Sequence, residues 1–235
     1  MTQPAMPYPA STVALVRPDQ DGGIEVLMNR RPQGMDTYAG VYVFPGGRVE
    51  VNDYSEEMRR FVRGVSPSDA QHLLGDGLTP ELSLAHWIAA ARELFEEAGV
   101  HFFCNENGLS QASNIGRLLE KREAVQRGEL AFADLLEAEG LYCDLRSLVY
   151  FFHRITPEHY RIRFDTRFFL APLPPDQTPL QASEEVVESL WVTPKQALAQ
   201  VESGNFPMMP PTIAVLRLLA EHGSWQALSR AFRGF

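Results

Sequence analysis

Apolar residues recur along this chain in two rhythms, one of short blocks and one of helical stripes. Ser11 to Arg17, with Val13, Ala14, Leu15 and Val16 in succession, predicts a buried strand. The turn residues Asp19-Gln20-Asp21-Gly22-Gly23 follow, then a second strand over Ile24 to Asn29, so the pair predicts a hairpin. Val41-Tyr42-Val43-Phe44 is a third apolar block, ended by Pro45-Gly46-Gly47. The glycine pair reads as a plain turn, or as a place where backbone approaches a ligand closely. Leu148 to Ile155, Arg163 to Ala171 and Val186 to Val192 complete the strands. The helical stripes begin with a short helix near Glu56 to Val62. A long one follows, with Thr79 as N-cap, Pro80 at the first position and Glu81 at the positive end of the dipole. It runs through Ala85 to Ala98 and stops at Gly99. Residues 108–140 read as largely helical on Leu118, Leu119, Leu130, Leu135 and Leu136. Further helices are expected from Pro194 and from near Thr212, after Pro210-Pro211. Strands and helices mixed in this way, with antiparallel signals, predict an α+β sandwich.

The composition, 45% hydrophobic and 22% charged over 235 residues, allows a sizeable core in one domain with insertions. No uncharged apolar run reaches the roughly 18 residues of a membrane span, and residues 1–10 lack the pattern of a secretory signal. Cys104 and Cys143 are too few for a disulfide framework or a four-cysteine zinc site, which suits the cytoplasm. A net charge of −9 argues against broad binding to nucleic acid. A small anionic substrate would need a local basic patch, and a metal site would account for part of the acidic excess.

The segment richest in chemistry lies on the long helix. Glu93, Glu96 and Glu97 stand at i, i+3 and i+4, so they share one face, while Ala91, Leu94, Phe95 and Ala98 form the other. Three carboxylates on one turn repel one another. A solvated acidic face is the plain explanation; hard divalent cations are the functional one. Upstream stands Phe44-Pro45-Gly46-Gly47-Arg48-Val49-Glu50. Together the two segments resemble the Nudix box: Gly47 fits its first glycine, and Arg92, Glu93, Leu94, Glu96, Glu97, Gly99 and Val100 match its second half in order. Asp53 stands where the box has glutamate, and about 30 extra residues separate it from Arg92. That interruption resembles the split-box branch, the acyl-CoA and CoA diphosphatases. So do the run Arg163 to Phe169, Trp191-Val192-Thr193-Pro194 and Pro210-Pro211-Thr212. Leu27, Arg31, Gly40 and Phe44 to Gly47 follow the spacing of a CoA-linked signature, from which Asn29, Pro32 and Asp36 depart.

The resemblance implies a Nudix-type α/β/α sandwich with a mixed β-sheet and helical insertions. A single domain is expected over residues 8–235, with insertions at about 54–80 and 104–145 that would select the substrate. It implies Mg²⁺ or Mn²⁺ held by Glu93, Glu96 and Glu97 with the Gly46 carbonyl, and Asp53 as a shorter ligand candidate. Arg92 would orient a box carboxylate. Glu185, beside Glu184, is the loop candidate for the general base. Arg30, Arg31 and Arg48, with Gly47, would face substrate phosphates. No Ser-His-Asp or Cys-His set stands out; His86, His153 and His159 read as structural or surface residues. The implied reaction is hydrolysis of CoA or acyl-CoA to 3′,5′-ADP and (acyl-)4′-phosphopantetheine. ADP-ribose, NADH or dinucleotide hydrolysis, and a Nudix-fold sensor without turnover, stay open as alternatives. A homodimer is compatible with the resemblance; no nucleic acid or membrane partner is expected.

Overall fold

The computed structural model describes residues 5–34, 38–75, 77–110, 115–181 and 186–232. In chain order the elements are β1 (Tyr8–Pro18), β2 (Ile24–Arg30), β3 (Tyr42–Val43), β4 (Gly46–Arg48), a 3-10 turn (Val51–Tyr54) and α1 (Glu56–Arg60). Next come β5 (Val62–Arg63), α2 (Pro67–Leu74), α3 (Pro80–Ala98), β6 (Phe103–Cys104), α4 (Ile115–Gln126), α5 (Phe132–Glu139) and β7 (Tyr142–Asp144). The chain continues through β8 (Val149–Ile155), β9 (Phe164–Pro172), β10 (Glu188–Val192), α6 (Pro194–Glu202), α7 (Pro210–Ala220) and α8 (Trp225–Phe232).

The main sheet has the order β10-β2-β1-β9-β8, with β3 added to β2 and β4 to β1. β1 and β9 run parallel and the other pairs antiparallel, so the sheet is mixed. Alternation along β1 builds two cores. Val13 and Leu15, with Leu27, Phe169 and Ala171, pack toward α3. Ala14 and Val16, with Val26, Met28, Phe168 and Leu170, pack toward Ala197 of α6, Val215, Leu216 and Leu219 of α7, and Leu228 of α8. Helices cover both faces, which makes the α/β/α sandwich. A strand buried on both sides has no polar side to show, hence the unbroken apolar block at its centre.

α3 forms where its caps dictate. The Thr79 hydroxyl accepts the Leu82 N–H at 3.2 Å, and Gly99 closes the helix at φ 67° by donating to the Phe95 carbonyl at 2.9 Å. Every residue from Ser83 to Ala98 is buried, the acidic face included. A solvated acidic face is therefore excluded. The glycine pair is not a plain turn but a strand, β4, paired with β1. The segment between β5 and α3 holds a second helix, α2, capped by Ser66 and Asp69 in a capping box. α7 begins at Pro210 rather than near Thr212, because the first helical positions need no N–H partner. α8 and the small sheet β5-β7-β6 had no separate expectation; strands of two or three residues are too short to show a period. Among the described residues no helix is long and apolar enough to cross a membrane.

Candidate active site

β4 brings the glycines between β1 and α3. In its register Thr12 faces Gly46 and Ser11 faces Gly47. A Cβ on Gly46, whose φ is 156°, would stand 2.4 Å from the Ser11 carbonyl oxygen. A Cβ on Gly47 would stand 2.4 Å from Oε1 of Glu93. Only backbone fits at Gly46, and a side chain at Gly47 would have to displace the Glu93 carboxylate, so the two glycines let the strand lie against β1 and the acidic turn of α3 together.

On that turn Arg92 is the hub. Its Nε and Nη2 donate to the two carboxylate oxygens of Asp53 at 2.9 and 3.0 Å, a forked pair. Nη1 donates to Glu93 at 2.9 Å and to Glu96 at 3.2 Å, and Nη2 also donates to the Arg48 carbonyl at 2.8 Å. Glu97 accepts from the Gly46 N–H at 3.3 Å and from the Asn29 amide at 3.4 Å; Asn29 in turn accepts from the Ser189 hydroxyl at 2.9 Å. One guanidinium thus serves several buried carboxylates. Burial holds the Glu93 carboxyl well above the usual range; Arg92 opposes this, and Glu96 and Glu97 add to it. Burial raises Glu96 in the same way, again against Arg92, with Glu50 and Asp53 adding to the rise.

Glu93, Glu96 and Glu97 open onto a cleft of about 540 Å³. The parallel register of β1 with β9 sets Ala10 beside Thr166 and Thr12 beside Phe168, and these four residues line it. Pro210, Pro211 and Thr212, at the start of α7, lie on its wall too. So do Arg31, Arg48 and Arg154, none of which pairs with a carboxylate among the described residues. The Arg48 guanidinium lies 4.1 Å from the centre of the Tyr8 ring. The cleft therefore has an acidic part and a basic part.

Of the residues singled out in the sequence, Gly46, Gly47, Arg31, Arg48, Arg92, Glu93, Glu96 and Glu97 come together here. Two lie elsewhere. Asp53 is turned away from the cleft and is spent on Arg92. Arg30 is not on the cleft wall; its guanidinium lies 5.8 Å from the Tyr42 ring centre. Glu184 and Glu185 fall in 182–185, outside the described residues. Glu50, Gln126 and Arg154 are cleft residues that the sequence alone did not single out. Glu50 had a signal: it forms a capping box with Asp53, three residues on. Arg154 and Gln126 belong to no motif.

The donor set suits a hard divalent cation: oxygen ligands, a surplus of negative charge and carboxyls that burial and their acidic neighbours hold toward the protonated form. Among the described residues no three acidic, His or Cys side chains are already placed to hold a metal ion together. Arg92 takes up oxygens of Glu93 and Glu96, so binding a cation there requires those side chains to share or exchange the guanidinium.

Comparison with known proteins agrees with this architecture. The crystal structure of a NUDIX hydrolase from Alicyclobacillus acidocaldarius superposes with a TM-score of 0.81 at 28% identity, covering 96% of both chains. The putative nudix hydrolase 7 of Caenorhabditis elegans is 26% identical over 200 residues, 85% of this chain and 57% of that protein. The acyl-coenzyme A diphosphatase NUDT19 of Xenopus laevis is 26% identical over 220 residues, 80% of this chain and 57% of that protein. The human NUDT19 is 28% identical over 247 residues, 91% of this chain and 65% of that protein. This chain thus spans about three-fifths of the length of these relatives. An α/β/α sandwich whose acidic helix closes onto a glycine strand is the Nudix fold. The chain belongs to the NUDT19 Nudix domain family, whose model matches residues 8–219.

Proposed function

We propose that this chain is a diphosphatase that cleaves CoA or acyl-CoA to 3′,5′-ADP and (acyl-)4′-phosphopantetheine with Mg²⁺ or Mn²⁺. The observation that carries the reading is the convergence of Glu93, Glu96 and Glu97 with Gly46 and Gly47 on one open cleft. Support for CoA comes from the relatives named acyl-coenzyme A diphosphatase and from the basic part of the same cleft.

Glu93, Glu96 and Glu97, with the Gly46 carbonyl, would hold the metal. When bound it would offset the charge of the diphosphate and acidify the attacking water. The chain's own residues do the rest. Asp53 fixes Arg92, and Arg92 fixes Glu93 and Glu96 in one arrangement. Arg31, Arg48 and Arg154 offer donors to phosphate oxygens. Phosphoryl transfer to water needs positioning and charge stabilisation rather than a covalent nucleophile. A carboxylate takes the proton of the water; Glu50, on the cleft wall, joins Glu185 as the candidate.

Hydrolysis of a panel of CoA, acetyl-CoA, ADP-ribose and NADH with Mg²⁺ or Mn²⁺ tests this. CoA and its thioester are expected to be cleaved best. Glu96→Gln and Glu97→Gln are each expected to lose at least about 100-fold in kcat, the scale of one lost electrostatic stabiliser, with unchanged circular dichroism. A preference for ADP-ribose or NADH would contradict the substrate, and wild-type rates in either variant would contradict the site.

A further inference from the structure

The insertion helix α4 carries a polar pair that the metal-binding turn does not account for. Arg122 is buried, and its Nη1 donates both to the Glu96 main-chain carbonyl and, at 3.1 Å, to Oε1 of Gln126. A guanidinium has donors only, so the end of the Gln126 amide that faces it must be the oxygen. This fixes the other end. Nε2 of Gln126, with two N–H groups, is buried and has no hydrogen-bond partner among the described residues. Gln126 is also part of the cleft wall, with Glu93 and Glu96. Buried amide donors are almost always paired in folded proteins, and Gln126, a cleft residue, holds one without a partner among the described residues, so the place for its partner is on the cleft side.

We propose that Gln126 is a substrate-binding residue that donates from Nε2 to a diphosphate oxygen bound beside Glu96, with Arg122 as its positioning residue. The inference rests on the diphosphatase reading. The chemistry selects the acceptor. A lysine or arginine in this place would pair with the cleft carboxylates and compete with a cation for them. A neutral amide cannot do so, yet it still offers two donors to an anion. The insertion thereby gains a role in binding, since α4 delivers a donor that the box lacks.

Two variants of the full chain separate this role from a structural one. Gln126→Glu keeps an oxygen for Arg122 but replaces the donor with a negative charge. Gln126→Met keeps the length and loses both. The expected result is a fall in kcat/KM for CoA of at least about tenfold in both, the scale of a lost hydrogen bond to a charged group. Gln126→Glu should be the worse of the two, although its thermal midpoint stays at the wild-type value. A purely structural glutamine gives the reverse order, because glutamate preserves the Arg122 bond and methionine breaks it. The reverse order, or wild-type kinetics in both variants, overturns the proposal. Calorimetric titration with CoA keeps the two readings apart. If the wild type binds CoA without cleaving it, the diphosphatase reading fails, and the same order in Kd decides the role of Gln126. If the wild type neither binds nor cleaves CoA, both fall.

Discussion

At Gly47 the lack of a side chain lets β4 lie against the acidic turn of α3. A Cβ placed there would overlap the Glu93 carboxylate, the movable end of a side chain, rather than backbone. Gly47→Ala should therefore displace Glu93 and leave the fold intact. The expected outcome is a loss of at least about tenfold in kcat/KM, the scale of a misplaced catalytic group, with a thermal midpoint close to wild type. Activity equal to wild type would show that the close approach is incidental. Arg92 makes the opposite prediction. Its planar fork serves Asp53 on one side and two glutamates on the other, and a lysine ammonium cannot match that geometry. Arg92→Lys should destabilise the protein by about 3 kcal/mol, the lower end for breaking a buried ion pair, measurable by urea unfolding. The shared face of Glu93, Glu96 and Glu97 was legible from spacing, and the pairing of Arg92 with a box carboxylate followed from the Nudix resemblance. The fate of Asp53 was not, because spacing places a residue along the chain but does not say which neighbour claims it.

α3 shows why some elements could be read and others could not. Its N-cap, first-turn proline and terminal glycine are local signals, and each stands where the sequence puts it. Its surroundings are not local. The acidic face is buried because β4, the 3-10 turn and α4 cover it, and α4 arrives from the chain beyond Gly99. Arg122 of α4 supplies a donor to the Glu96 carbonyl in the last turn of α3, where main-chain acceptors lack helical partners. Gly99 shows the same convergence. It sits at φ 67°, and an added Cβ would lie 3.0 Å from Leu119 and Leu180. Gly99→Ala should cost about 1 kcal/mol from the left-handed backbone alone. That corresponds to a midpoint lower by roughly 2–4 °C. An unchanged midpoint in differential scanning calorimetry would contradict the cap.

Across the whole molecule, the net charge of −9 conceals a polarised cleft, acidic on α3 and basic at Arg31, Arg48 and Arg154. Composition could indicate that a basic patch was needed, but only the sheet register brings Arg31, just past the end of β2, to one wall with Arg48 of β4 and Arg154 of β8. Stability should vary with pH through two buried histidines, His86 and His101. His86 bonds to Ser11 at 3.1 Å, and His101 stacks on Phe103 with ring centres 4.5 Å apart. Burial lowers both to about 4 from an ordinary 6.5. The unfolded chain therefore takes up these protons first as the pH falls. The stability linked to neutral histidine is complete above about 6.5 and is lost toward 4. His101→Phe, which can keep the stacking, should lose less stability than wild type between pH 7 and pH 5 in parallel urea titrations. Equal losses would contradict the assignment.

Anomalous diffraction from a crystal grown with Mn²⁺ and CoA would address most directly whether the buried carboxylates of α3 grip a diphosphate through a divalent ion. The account predicts a manganese peak bounded by Glu93, Glu96 and Glu97, with a diphosphate oxygen in its coordination sphere. CoA bound in the cleft with no manganese at those side chains would contradict it.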